Sequence, residues 1–323
     1  MKAWTWERYG SPDVLEMRDI DPPLRKEGEV LVRVRAASVN PYDWRHLRAD
    51  PQFIRLYAGL RRPKPGSILG ADLAGVVEDA PAGSAFRPGD EVFGDVQLGA
   101  FAELVSAPVG RLAPKPHGLT FEEAAALPMA GQTAMKALET LRPGQHVLVN
   151  GAAGGIGTCA VQLAKAAGAV VTGVCGTRNA DLVRSIGADR VVDYTRTDFT
   201  RSGERYDLIV DLVGNHSLRR FRRALAPRGT LALVGGLTGG GRLFGPLIQI
   251  LAGSLMTRFV RQSITPITWE PGAESLRRLA AHAEAGDIRP VIDQVFQFAE
   301  VPEAVRHVES RHARGKVVIG GIA

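Results

Sequence analysis

The run Asn150-Gly151-Ala152-Ala153-Gly154-Gly155-Ile156-Gly157 carries the plainest chemical signal in the chain. It follows a short apolar segment, 146–150. It opens a stretch with apolar residues at helical spacing: Ile156, Ala160, Val161, Ala164 and Ala167. Strand, glycine turn and helix in that order make a phosphate site, because the N–H groups of a helix start attract a pyrophosphate. In the pattern G-x-G-x-x-G the first position is Ala152, and Gly154 and Gly157 fill the other two. Gly154 lets the backbone approach the phosphates, and Gly157 lets the helix pack closely on the strand. Ala152, Ala153, Gly154, Gly155, Ile156 and Gly157 are the expected contacts to a dinucleotide. The plain alternative is a tight strand-to-helix turn without a ligand.

The choice of dinucleotide is read about 20 residues further on, at the end of the second strand, where an acidic residue would accept the ribose hydroxyls of NAD. This chain has Cys175-Gly176-Thr177-Arg178-Asn179 there, with no carboxylate before Asp181. A guanidinium suits the 2′-phosphate of NADP, so Arg178 favours NADP(H) over NAD(H), with Cys175 and Thr177 beside it. A solvated surface arginine is the alternative.

The elements that must position these residues fall into two textures. Residues 1 to about 125 are β-rich. The segment 29–35 alternates apolar and polar residues, and 76–78, 91–93 and 101–105 are further short strands separated by Gly and Pro. Thr120 and Glu123 have capping-box spacing ahead of an alanine-rich helix that Pro128 stops, and 131–141 predicts a second helix. Strands then alternate with helices: strands at 146–150, 170–174, 190–193, 206–212, 230–234 and 262–267, helices at 156–167, 180–186 and 217–226. That order predicts a parallel sheet covered on both faces. Segment 273–285 predicts an amphipathic helix, 291–298 a strand, 301–309 a helix and 316–319 a last strand. The fold class expected is α/β. A Rossmann-type dinucleotide domain spans 126–267, and a β-rich domain is assembled from 1–125 and 268–323.

Composition agrees and narrows the class. A chain of 323 residues with 45% apolar and 23% charged residues is long for one core and carries no low-complexity tract. The net charge of +6 permits a phosphate or nucleic-acid partner, but the basic residues are scattered. The densest run, Arg219, Arg220, Arg222 and Arg223, reads as a solvated helix face. Two cysteines, Cys159 and Cys175, build neither a disulfide framework nor a four-cysteine zinc site, which points to a reducing, cytoplasmic setting. The start of the chain has no apolar run of signal-peptide length. The apolar stretch 243–256 is too short for a membrane span, and reads as a buried or lid helix.

Several segments together resemble the medium-chain dehydrogenase/reductase superfamily, in its zinc-free quinone oxidoreductase branch. They are Ala37-Ser-Val-Asn-Pro-Tyr-Asp43, Leu69-Gly-Ala-Asp-Leu-Ala-Gly-Val-Val77, Arg87-Pro-Gly-Asp-Glu-Val-Phe93, residues 145–157 and Arg314-Gly-Lys-Val-Val-Ile319. The resemblance covers nearly the whole chain. It implies a GroES-like catalytic domain with the Rossmann domain inserted in it, an active site in the cleft, and a homodimer. Zinc-dependent relatives place a cysteine where Asn40 stands, a histidine at Ala71 and a third ligand near Met129. Asparagine, alanine and methionine do not replace that thiolate and imidazole set, so no metal is expected. Without a Lewis acid the chemistry suits an already activated acceptor, whose oxygen needs only a hydrogen-bond donor. Asn40, which looks like the family asparagine beside the nicotinamide, and Tyr42, two residues on, are the expected catalytic residues. By the same resemblance Thr133, Tyr194, Val213, Gly235, Gly236 and Lys316 join Asn40 around the cofactor. Asp43 reads as a structural hydrogen-bonding residue, and Asp72 is not taken as an acid or base.

The activity implied is transfer of hydride from NADPH to a quinone or an α,β-unsaturated carbonyl, with a small apolar substrate as partner. Two alternatives stay open. One is an enoyl-thioester reductase of a polyketide or fatty-acid type pathway, in which 243–256 lines a long apolar pocket. The other is a cofactor-sensing or RNA-binding protein with little turnover. The scattered arginines argue against a nucleic-acid groove, and no membrane partner is expected.

Overall fold

The structure is a computed structural model and describes residues 1–234 and 261–322. Its contacts divide the chain into two units, Met1–Gln132 with Pro271–Ala323, and Thr133–Glu270. The divisions fall at 132 and 270, where 125 and 267 were expected. The first lies within a helix, Pro128–Ala137, which the sequence offers no signal to cut.

The first unit is built on a seven-stranded sheet and a two-stranded one. Its longest strand, Glu29–Val39, buries Val30, Val32 and Val34 by simple alternation, then buries every residue from Ala36 to Val39. The change marks where both faces of the sheet are covered. Asp72–Asp79 and Lys316–Gly320 flank this strand antiparallel, and Lys316–Gly320 pairs parallel with Ile292–Gln297 on its other side. Glu91–Asp95 and then Leu112–Pro114 continue the sheet beyond Asp72–Asp79. Leu69, Leu73, Phe101, Leu112, Val32 and Val34 fill the core beneath.

A helix that the sequence reading passed over, Pro41–Arg48, follows the long strand directly. Pro41 stands at a first-turn position where its missing N–H costs nothing, and Ala49 ends the helix in the left-handed region at φ 48°. The capping box at Thr120 forms as expected: Glu123 N–H donates to the Thr120 hydroxyl oxygen, and Thr120 N–H to the Glu123 carboxylate. The next helix begins at Pro128, not at 131, and ends at Ala137, since proline at a first turn starts a helix as readily as it stops one.

The second unit is a six-stranded parallel sheet. Taken in chain order, its strands are His146–Asn150, Val170–Cys175, Arg190–Asp193, Tyr206–Asp211, Leu225–Leu233 and Ser263–Pro266. In space they run third, second, first, fourth, fifth, sixth. The order reverses between the first strand and the fourth, the place where open α/β sheets take ligands beyond their carboxyl ends. Helix Gly155–Ala166 starts there. Leu148, Ile209, Tyr206, Phe199, Phe221 and Leu231 are among the buried residues packed together in this unit. No helix among the described residues is long and apolar enough to cross a membrane.

The glycine turn explains why Ala152 is tolerated in the fingerprint. Gly151, one residue earlier, takes the positive φ of 95° that the turn demands. The N–H groups of Gly151 and Ala152 both donate to the Val174 carbonyl, at 3.1 and 3.0 Å, which ties the turn to the second strand. Gly157 packs so tightly that a Cβ there would lie 2.1 Å from the Gly151 carbonyl oxygen, whereas one on Gly154 would meet only that oxygen, at 3.6 Å. Gly157→Ala should therefore cost about 2 kcal/mol or more, and Gly154→Ala close to nothing. Urea unfolding midpoints compared at unchanged slope check this pair.

Candidate active site

In the first unit one row of polar side chains crosses five adjacent strands. Ser38 pairs with Asp72, and Asp72 with Asp95. Val317 pairs with Val39, which makes Lys316 and Asn40 neighbours at the next step. Gly94 pairs with Leu112, which brings Arg111 beside Asp95. Ser38, Asn40, Asp43, Asp72, Asp95 and Lys316 are all buried.

The row is densely bonded at its centre. Lys316 Nζ donates to Asn40 Oδ1 at 2.5 Å and to Asp72 Oδ2 at 3.4 Å. Asn40 Nδ2 donates to the same Asp72 oxygen at 2.9 Å, and the Ser38 hydroxyl reaches it at 3.1 Å. The other Asp72 oxygen takes the Met129 N–H at 3.1 Å. Only one orientation of the Asn40 carboxamide fits, since the flipped amide would set its NH₂ against an ammonium and its oxygen against a carboxylate. Asp43 accepts the N–H groups of Asn40 and Gly70 at 2.7 and 3.1 Å, the structural part expected of it. Further along, Arg111 and Gln132 donate to the two Asp95 oxygens, and Ser275 donates to Gln132 Oε1.

Electrostatics follow from burial. Desolvation pushes the Asp43 carboxyl up to about 7 against the pull of its two N–H partners. Burial, and then the charge of Asp72, lift Asp95 to about 7 as well. Asp72 is raised by burial and pulled back by the Lys316 ammonium.

Tyr42 sits in the first turn of helix Pro41–Arg48, half-buried. Its ring lies 4.0 Å from that of His46, one turn on. His46 bonds the Tyr42 carbonyl through Nδ1 at 2.8 Å and the Tyr57 hydroxyl through Nε2 at 3.1 Å. A carbonyl can only accept, so Nδ1 carries the proton and Nε2 accepts from Tyr57. Burial lowers the His46 pKa, which keeps the ring neutral. Burial also raises the Tyr42 phenol, with Tyr57 and Asp43 adding to the shift, so Tyr42 keeps its proton and stays a hydrogen-bond donor.

The second unit gathers the residues expected around a dinucleotide. Ala152 and Ala153 are buried in the turn, and Gly154 caps the helix that Gly155, Ile156 and Gly157 begin. Val213 lies against Gly151. Cys175 ends the second strand, its thiol pushed up to about 11 by burial, and Thr177 and Arg178 follow in a short turn. The Tyr194 ring stands over Gly176. Thr133 is buried in helix Pro128–Ala137. Gly235 and Gly236, and the apolar stretch 243–256, lie outside the described residues. The turn fits a pyrophosphate, because a Cβ on Gly154 would meet only the Gly151 carbonyl oxygen, at 3.6 Å, which leaves that backbone open to approach among the described residues.

Two family patterns match the chain: the alcohol dehydrogenase GroES-like domain over residues 26–117, and the zinc-binding dehydrogenase family over 186–319. A 2-methylene-furan-3-one reductase of Solanum lycopersicum is 33% identical, over 99% of this chain and 79% of its own length. The chain belongs to the medium-chain dehydrogenase/reductase superfamily. Another relative in this superfamily, an NADPH-dependent alkenal/one oxidoreductase of Arabidopsis thaliana, is 32% identical over 99% of this chain and 79% of its own length. The solved structure of a quinone oxidoreductase from Coxiella burnetii superposes with a TM-score of 0.86 at 28% identity, covering 99% of both chains. With these relatives, the GroES-like β-rich fold, the Rossmann sheet and an oxidoreductase function stand together.

The three positions that the resemblance set beside zinc ligands are engaged in other ways. Asn40 is bonded to an ammonium, Ala71 is a buried methyl group, and Met129 contributes its backbone N–H to Asp72. Among the described residues no group of three His, Cys, Asp or Glu side chains is arranged to hold a metal. Sequence reasoning missed His46, Tyr57, Asp95, Arg111 and Gln132, which reach the site only through helix geometry and strand register. The one signal that could have found His46 is its i+4 spacing from Tyr42.

Two outcomes follow from the buried row. Lys316→Met leaves the Asp72 carboxylate without its cation and should cost about 3 kcal/mol of stability, measurable by thermal or urea unfolding. The raised carboxyls also set a pH dependence. Between their ordinary 3.8 and about 7, Asp43 and Asp95 hold protons in the folded chain that the unfolded chain releases. Their contribution is therefore full below that window and lost as pH rises through it. Asp95→Asn should flatten the slope of stability between pH 4 and pH 7.

Proposed function

We propose that this chain is a zinc-independent, NADP(H)-dependent reductase of quinones or α,β-unsaturated carbonyls. The observation that carries the reading is the buried Lys316 ammonium bonded to Asn40 and Asp72, where the positions that the resemblance sets beside metal ligands are asparagine, alanine and methionine. A protein cation buried there suits acceptors that are already electrophilic. The NADPH dependence named for the Arabidopsis relative, and the enone and quinone names of the relatives at large, support the same choice.

Bound in the second unit, the dinucleotide supplies hydride from its nicotinamide. Gly154, Gly155, Ile156 and Gly157 would hold its pyrophosphate through backbone N–H groups, with Ala152, Ala153 and Val213 forming the wall behind. Cys175, Thr177, Arg178 and Tyr194 would surround the adenosine ribose, and Thr133, Gly235, Gly236, Asn40 and Lys316 complete the proposed contacts. Asn40 has both its polar ends committed, so it orients and does not turn over. Tyr42 is the donor to the acceptor oxygen: its phenol holds its proton, and the His46 stack with the Tyr57 bond fixes its ring. Both cysteines are buried outside any disulfide, and we place the activity in the cytoplasm, in a homodimer. The enoyl-thioester alternative leans on 243–256, outside the described residues. Helix Leu218–Ala224 buries Phe221 and Ala224 and leaves Arg219, Arg220 and Arg223 exposed, the solvated face first expected.

Turnover of NADPH with a panel of quinones and enones tests the proposal; no oxidation above background overturns it. Tyr42→Phe should lower kcat about 10²-fold with little change in NADPH binding, read by steady-state kinetics beside a cofactor titration.

A further inference from the structure

The second strand carries no acidic residue at its end, but the sheet brings one there from the side. Asp193 closes the strand Arg190–Asp193, and its partner in register is Cys175. Its carboxylate accepts the Thr177 hydroxyl at 2.5 Å, the Thr195 hydroxyl at 2.7 Å and the Thr195 N–H at 2.9 Å. These bonds, the Thr177 hydroxyl first, hold Asp193 below the usual carboxylate range, so it is charged at neutral pH. Tyr194, the next residue, lies over Gly176. Asp193, Thr177 and Tyr194 thus share the edge where a Rossmann sheet takes the adenosine ribose.

A ribose 2′-hydroxyl can donate to this arrangement. A 2′-phosphate has nothing to donate once ionised. It would meet a carboxylate and a Thr177 hydroxyl whose proton already points at that carboxylate. Like charges in contact range repel strongly at a partly exposed site. Arg178 stands against this on the other side of the balance.

We infer that Asp193 is a cofactor-selectivity determinant: it recruits the 2′-hydroxyl, opposes Arg178, and makes NADH a working cofactor beside NADPH. The inference rests on the dinucleotide reading above and deepens it.

Fluorescence titration of the full chain with NADPH, NADH, 2′,5′-ADP and 5′-AMP tests it without any acceptor. In the wild type, NADPH and NADH should bind within about tenfold of each other. Asp193→Asn keeps one acceptor oxygen for Thr195 and turns its NH₂ toward Thr177, and it should move the Kd ratio about tenfold toward NADPH, with 2′,5′-ADP tightening and 5′-AMP weakening. Asp193→Ser serves if the first variant does not fold, as judged by its melting curve. A ratio unchanged within about twofold, a move toward NADH, or a wild type preferring NADPH by more than about a hundredfold overturns the role of Asp193. A wild type that binds neither dinucleotide overturns the cofactor reading itself.

Discussion

An ammonium and a carboxylate taken out of water together lose several kcal/mol of hydration each, and only close geometry with further hydrogen bonds offsets that loss. Lys316 and Asp72 meet this condition through Asn40, Ser38 and the Met129 N–H, which add further hydrogen bonds to the pair. Most of the first unit is arranged around that requirement. The strands carrying Lys316, Ser38, Asp72 and Asp95 must lie side by side in one register, since a slip of one residue would turn each of these side chains to the opposite face. The polar row therefore fixes how the sheet is assembled, and it fixes Asn40 with it.

The second unit obeys a different constraint, close approach of backbone to backbone. The turn from the first strand into its helix works because Gly151 takes a positive φ and Gly157 has no side chain. Ala152 is consistent with that geometry: it is buried and packs toward Gly173 of the neighbouring strand. One unit uses charge neutralised in place, the other an absence of bulk that leaves N–H groups for an anion.

Much of this was legible in the sequence, for reasons that are local. The glycine turn, the capping box at Thr120, and the alternation of strands and helices after residue 146 are short-range patterns, and each appears where expected. What stayed hidden depends on register. Looking along the chain from Cys175, the first carboxylate is Asp181. Looking across the sheet, it is Asp193, eighteen residues on and directly alongside. Asp95 and Arg111 are likewise ordinary charged residues in sequence, and become parts of the site only when their strands pair. Helix Pro41–Arg48 was missed because Asn40-Pro41 reads as a turn, although Asp43 three residues later supplies the first-turn carboxylate that caps it.

The strand Lys316–Gly320 has a consequence for the order in which the chain matures. Lys316 is 244 residues downstream of Asp72, and the whole of the second unit is encoded between them. During synthesis the parallel sheet has all six strands available while the first unit still lacks the strand that brings its ammonium. Every nascent chain shorter than this holds Asp72 and Asn40 without their cation, with an open edge on the strand Glu29–Val39 where Lys316–Gly320 will pair. All six strands of the inserted unit precede Lys316 in the chain, so the buried row around Asp72 is among the last parts of the molecule that can be completed.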